Sequence, residues 1–505
     1  MNDKNISVIT RRDFIRRAAC AAVGTAAMTC SIRDLRLMNA AVAQSNITDY
    51  KALVCIFLQG GNDSNNLIIP TIPSEYASYA AIRTPVLAIP QGSLFNLQKP
   101  NTGTGYANPP VGDPNNFVDP AGHCFGFHPG GPDLAELFFE GKLALLFNTG
   151  TLVFPMTRAQ YLGGILQKPP QLFSHADQVT QWQTSVPNQP PTTGWGGRCA
   201  DLLNSVQPGS QISLCVSLAG ANTFEVGNIV SQYSVSTSGA ISLQNVSGSR
   251  LVALTNILGL NYANLQEQAY AGVAQHSIQS GSLLNNAITN TAGNFFTNRS
   301  FPNTVTNLVS GSKFGSSLAP QLQMIARLIE AGNRSTAQGG FGMKRQIFFC
   351  QVGGYDLHTG QTNYDTNNPN NVMIGAHSNL IAELSQSLLA FQRAMEQLGL
   401  SQKVTAFTAS DFSRTFPSNG QGSDHGWGSH HLIVGGAVKG GQTYGTWPSL
   451  SVNGPDDTGT GRWIPSTAID QYFATLATWF GVDNGNLASV FPNIGNFASR
   501  NLGFI

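Results

Sequence analysis

"KALVCIFLQGG", residues 51–61, is an unbroken apolar run that stops at a Gly–Gly pair. A run of this length without alternation reads as a strand buried on both faces, the signature of a parallel sheet. Similar segments recur along the chain. "KLALLFNTGT" (142–151) follows "GPDLAELFFEG", an amphipathic helix with Gly141 just past its end. "RQIFFCQVGG" (345–354) and "KVTAFTAS" (403–410) are two more strands, and "HLIVGGAV" (431–438) is a fifth. Between the third and fourth, Leu380, Leu384, Leu388, Phe391, Met395 and Leu398 fall at helical spacing, and "AIDQYFATLATWFG" near the end reads as a further helix. Strands alternating with helices predict an α/β domain with a largely parallel central sheet flanked by helices, whose strand ends are the place for ligands. Residues 99–122 and 226–250 are rich in small polar residues and read as loops. Residues 252–335 read as a helical cap. No internal repeat or linker divides the chain, so residues 44–505 are expected to be one domain with insertions around 99–122 and 226–335.

The 505 residues are 41% hydrophobic, enough for a substantial core, and only 10% charged with a net charge of +1. That balance gives no electrostatic case for nucleic acid or an acidic membrane surface. The polar surface must come from Asn, Gln, Ser, Thr and Gly, as in many exported proteins. "TRRDFIRRAACAAVGTAAMTC" resembles a twin-arginine export signal through Arg11 and Arg12 and the Ala-rich run behind them. The run from Ala18 to Cys30 is too short to span a bilayer, and Ala41-Val42-Ala43 offers a cleavage site before Gln44. The expectation is a signal at residues 1–43, the twin-arginine export machinery as partner, no stable membrane span after its removal, and a periplasmic or secreted product. Cargo of that route crosses already folded, often with a metal or cofactor inside. Of the five cysteines beyond the signal, Cys55 and Cys350 read as small buried hydrophobes, and none has metal-ligand spacing.

Chemistry-bearing residues follow the strands. Asp63 stands in "GGNDSNN" after the first, and Asp356 and His358 stand in "GGYDLH" after the third. Two positions apart in an extended segment, the latter pair shares a face. Asp411 follows the fourth, and "SDHGWGSHHLIVGGAVKGG" (423–441) adds Asp424, His425, His430 and His431. His430 and His431 are adjacent, so in an extended segment both cannot face one point. A mixed Asp/His set suits one or two divalent ions, zinc first, with manganese or iron as the alternatives. Ser174 in "LFSHADQ" opens a helix, where it is either a nucleophile or an N-cap, and His175 beside it is a ligand, a general acid or a surface group. Arg414 and Lys439 are the nearest cations to these motifs.

"CIFLQGGNDSNNLIIP", "GGYDLHTGQ", "TGWGGRCADLL" and "SDFSRTFPSNGQGSDHGWGSHHLIVGGAVKGG" together resemble domain of unknown function family 1501, over nearly the whole mature chain. That family looks like a distant relative of the alkaline phosphatase and sulfatase superfamily. The resemblance implies an alkaline-phosphatase-like core with two metals at strand ends and a Ser, Thr or Cys nucleophile. By position it assigns Ser174 as nucleophile, Asp63, Asp356, His358 and Asp411 as ligands, and at least one of His425, His430 and His431 as the last imidazole. The chain departs from that pattern at Phe412, where two-zinc enzymes of the superfamily carry His, and at Asp411, where the family generally carries Glu. The expected function is an exported metal-dependent hydrolase of phosphate or sulfate esters, acting on a small-molecule ester. The alternative is a non-catalytic metal-binding or surface-assembly protein on the same fold. No dinucleotide fingerprint or haem motif supports a redox cofactor; "VGGAVKGG" lacks the strand–helix context.

Overall fold

The computed structural model describes residues 47–100, 105–207, 212–241, 243, 245–289, 291 and 300–505. The expected signal, residues 1–43, lies outside them. The main sheet has ten strands: β1 (Lys51–Leu58), β2 (Leu143–Gly150), β3 (Cys215–Ser217), β4 (Tyr233–Ser236), β5 (Gly239–Ala240), β6 (Arg345–Val352), β7 (Val404–Ser410), β8 (Ser429–Gly435), β9 (Thr443–Tyr444) and β10 (Thr467–Ala468). Their spatial order is β9-β2-β8-β7-β1-β6-β3-β4-β5, with β10 alongside β2. β1 lies at the centre, parallel to both β6 and β7, with Cys55 level with Phe349 on one side and Phe407 on the other.

The side chains of β1 alternate between two cores, which is why its sequence has no polar positions. Ala52, Val54, Ile56 and Leu58 enter one core, while Leu53, Cys55 and Phe57 enter the other. The first core is covered by α2 (Pro132–Phe139), α7 (Leu318–Asn333) and α8 (Ala376–Gln397), and the second by α4 (Trp195–Leu203) and α9 (Ile469–Phe480). Each fully buried Leu, Ile or Phe in such a layer contributes roughly 1.5–3 kcal/mol. The expectation of a largely parallel sheet flanked by helices therefore holds.

Two features differ from the sequence reading. β8 is antiparallel to both β7 and β2, and it starts at Ser429 rather than His431. The connection from β7 to β8 contains no helix, the element that usually carries a parallel crossover, and the chain returns antiparallel. Within residues 226–335, read as insertion, β4 and β5 join the main sheet, and α5 (Ser249–Leu258) and α6 (Leu265–Thr289) follow them in the chain. α7 is a core helix whose Leu318, Leu322, Ile325 and Ile329 are fully buried. The five cysteines of the described residues are free thiols. Among the described residues, no helix is long and apolar enough to cross a membrane.

Candidate metal centre

The centre is built on the turn that follows β1. Gly60 and Gly61 adopt φ of +112° and +81°, a region glycine enters without steric cost. Neither position has room for a side chain: a Cβ would sit 2.5 Å from the Asp356 backbone nitrogen at Gly60, and 2.5 Å from the Phe412 ring at Gly61. The turn aims two backbone N–H groups at the carboxylate of Asp411, the residue just after β7. Gly60 donates to Oδ1 at 3.0 Å and Gly61 at 3.2 Å. Asp411 is fully buried, and its second oxygen takes His175 Nδ1 at 2.6 Å. His175 is the first residue of α3 (His175–Thr184).

Two more imidazoles are oriented the same way. His425 Nδ1 donates to the Phe173 carbonyl at 2.7 Å, and His358 Nδ1 faces Asp424 Oδ1 at 3.0 Å. A ring nitrogen facing a carboxylate or carbonyl oxygen carries the hydrogen, which leaves the other nitrogen as a lone pair. All three Nε2 lone pairs are then turned on one another: His175 to His425 at 3.1 Å, and His358 to His425 at 2.9 Å. The Asp356 carboxylate joins them, 3.4 Å from His175, 3.2 Å from His358 and 3.4 Å from His425. Lone pairs and a carboxylate repel at these distances unless a cation is shared among them. A nitrogen that donates to an oxygen while its ring partner faces a common point is the arrangement of metal-bound histidine. The donor set therefore fits a divalent metal. His175, Asp356 and His425 can each offer one ligand atom, all within 4.8 Å of one another.

Arg414 fastens this assembly from below. It is buried and donates to the carbonyls of Gly61, Ser423, Gly60 and Tyr355 and to Asp356 Oδ1 at 2.5 Å. Partial burial pushes the Asp356 carboxyl up, but the hydrogen bond and charge of Arg414 outweigh it and hold the group below the usual carboxylate range. The hydrogen bond to Asp411 raises His175, whereas burial, aided by His175 and Arg414, lowers His425. Phe412, where the superfamily pattern carries His, lies flat on His425 with centroids 4.7 Å apart and packs on His175 at 4.7 Å. It walls the centre rather than ligating.

Of the residues singled out from sequence, the structure brings together His175, Asp356, His358 and His425, with Asp411 and Asp424 orienting two of the rings. Asp63 stands elsewhere. It is buried against Arg83 of α1 (Pro73–Leu87) and accepts from Gln361 Nε2, because a carboxylate out of water takes the nearest cation. Ser174 Oγ donates to Asp177 Oδ2 at 2.6 Å at the start of α3, so it occupies a helix-start position while its neighbour faces the centre. His430 and His431 enter opposite cores of β8. His430 stacks on Trp447 and accepts the Asn148 N–H at 3.0 Å, and His431 packs on Trp182. Burial pushes both to about 3, so they are neutral core rings and not ligands of this cluster. Arg414 and Lys439, the cations noted from sequence, are spent on internal contacts; Lys439 Nζ donates to the Gly503 carbonyl at 2.9 Å. The sequence reading missed the Gly60–Gly61 donors and Arg462, whose Nε donates to the His425 carbonyl at 2.7 Å.

Fold and site thus define an α/β protein with a candidate histidine–carboxylate metal centre at the carboxyl ends of its central strands. The chain belongs to the family described as "Protein of unknown function (DUF1501)", whose model matches residues 50–472. No curated protein sequence matches it. Among solved structures, it is similar to Ps i-CgsB in complex with k-i-k-neocarrahexaose, at 8% identity and a TM-score of 0.29, covering 89% of this chain and 77% of that one. It is likewise similar to the PsFucS1 sulfatase from Pseudoalteromonas sp., at 10% identity and a TM-score of 0.29, covering 89% and 72%.

Proposed function

We propose that the chain is an exported hydrolase of phosphate or sulfate esters that depends on one divalent cation, zinc in the first instance. The observation that carries this reading is the convergence of the His175 and His425 lone pairs and the Asp356 carboxylate on one point, each ring fixed from behind by an oxygen. His175, Asp356 and His425 would hold the cation, three protein ligands leaving a position open as in catalytic sites. A divalent cation there supplies a Lewis acid to an ester oxygen. His358 is 42% exposed and backed by Asp424, so it is placed to take a proton from an attacking water at Nε2. Ser174 is committed to Asp177 and is not needed as nucleophile. The paired Arg11 and Arg12 support export to the periplasm or beyond.

Elemental analysis of the purified full chain tests the reading, together with hydrolysis of an aryl phosphate and an aryl sulfate. One ion per chain is expected, lost in Asp356→Ala and His425→Ala, with turnover of one of the two esters. His358→Gln should keep the ion and lose turnover. A folded protein that binds no divalent ion refutes the reading. The hydrogen bond that occupies Ser174 favours the second reading, a metal-binding or surface-assembly protein; an ion without turnover of either ester would establish it.

A further inference from the structure

One cation at the centre has donors to spare. Arg414 and Arg83 are buried and turn their guanidinium groups onto backbone carbonyls and a carboxylate. Arg462 is only half-buried. Its Nε donates to the carbonyl of His425, and its guanidinium lies over the Phe173 ring, 4.3 Å from the centroid. Phe173 in turn receives His425 Nδ1 on its carbonyl, so arginine, ring and imidazole form one closed set. The backbone beneath is equally fixed. The Arg462 N–H bonds Asp457 Oδ1 at 2.9 Å, and the buried Trp463 donates to Asn65 at 3.0 Å while its carbonyl accepts the Gly428 N–H. Among the described residues neither Nη of Arg462 has a hydrogen-bond or ion-pair partner. A guanidinium held rigidly by Nε and by stacking, with a free pair of N–H groups beside a cation centre, presents the planar fork that matches a tetrahedral oxyanion.

We infer that Arg462 binds the anionic group of the substrate through its Nη atoms, and so sets the centre's preference for phosphate or sulfate esters over neutral ones. This rests on the ester-hydrolase reading above and names the residue that recognises the anion.

Calorimetric titration of the zinc-loaded full chain with inorganic phosphate, and separately with inorganic sulfate, tests the inference on wild type, Arg462→Gln and Arg462→Lys. Zinc content and melting temperature are read on the same samples. Losing a charged two-point contact should weaken binding of the preferred ion about tenfold to a hundredfold in Arg462→Gln. Arg462→Lys should recover part of that loss, and zinc should stay in both variants. Unchanged affinity in Arg462→Gln with zinc retained overturns the inference and leaves the hydrolase reading standing. Loss of zinc from both variants also overturns it, because Arg462 would then act only as a prop for His425. A wild type that holds zinc but binds neither ion removes the anionic ester itself, and the inference with it.

Discussion

Asp411→Asn separates the two jobs of one buried carboxylate. The wild-type group accepts from Gly60 and Gly61 through Oδ1 and from His175 through Oδ2. Asparagine can keep the glycine donors on its single oxygen, but its NH2 then faces a ring nitrogen that is also a donor. His175 escapes the conflict only by moving its hydrogen from Nδ1 to Nε2, which puts that hydrogen into the metal centre. Two losses follow. Exchanging a buried, charge-assisted hydrogen bond for a mismatched contact should cost ~1.5–3 kcal/mol of stability in the metal-free protein. Removing the oxygen that fixes a ligand's tautomer should weaken metal binding about 10–100-fold, which is roughly 1.4–2.7 kcal/mol. Urea unfolding of chelator-treated protein reads the first, and competition with a chromogenic chelator reads the second. Asp424→Asn is the matched control: it backs His358 in the same way but is 48% exposed, so its stability change should stay below about 1 kcal/mol. An Asp411→Asn protein that takes up metal as tightly as wild type would refute the argument that these tautomers are fixed to receive a cation.

Three further outcomes are expected. His431→Phe should retain full metal content and cost about 0.5–1.5 kcal/mol, since it removes the Thr408 Oγ1 contact of Nδ1 together with an Nε2 that has no partner; His430→Phe should also retain metal but cost ~1–3 kcal/mol by orphaning the Asn148 N–H. Metal analysis and urea titration check both. Ser174→Ala should lose only its bond to Asp177, about 0.5–1.5 kcal/mol, with metal and any hydrolysis intact; abolished turnover would restore Ser174 as nucleophile. Burial raises Asp470 to about 7 and Glu225 to about 8, from ordinary values of 3.8 and 4.5. Because the folded values lie above the unfolded ones, their stabilisation is complete below about pH 4 and is lost as pH rises through 7 and 8. Melting temperature measured across that window should fall more steeply for wild type than for the Asp470→Asn, Glu225→Gln double variant, and equal slopes would contradict the assignment.

The strands were readable because β1, β2, β6 and β7 are buried on both faces, and a continuous apolar run has few other uses in a chain of this composition. The helix at Leu380–Leu398 was readable from its period. The direction of β8 was not, yet a signal was present: nothing helical lies between Ser410 and Ser429, and a parallel return usually runs through a helix. At the site, sequence gathers the right segments but cannot distribute their side chains. "GGND" and "GGYD" look alike, and Arg83, twenty residues beyond Asp63, decides that only Asp356 reaches the centre. Adjacent His430 and His431 announce that one must turn away, and packing on Trp447 and Trp182 takes both. Arg462 carries no local pattern at all. It lies in a Gly- and Asp-rich loop whose proximity to His425 exists only after the sheet has formed.

The position of β1 sets an order on the making of this protein. Its flanking partners are late in the chain: Cys350 touches the Cys55 carbonyl from 295 residues downstream, and Leu58 is level with Ser410. A ribosome delivering the amino end first therefore releases an apolar strand with both edges open, and it stays so until most of the polypeptide has emerged. Such a segment invites wrong pairings throughout synthesis, and contacts this distant in sequence form slowly. The cluster of His175, Asp356 and His425 draws on residues still later than β6, so cation capture can occur only when β1 has been enclosed. On the metal-centre reading, ion uptake follows the pairing of β1, and a chain truncated before His425 should capture none.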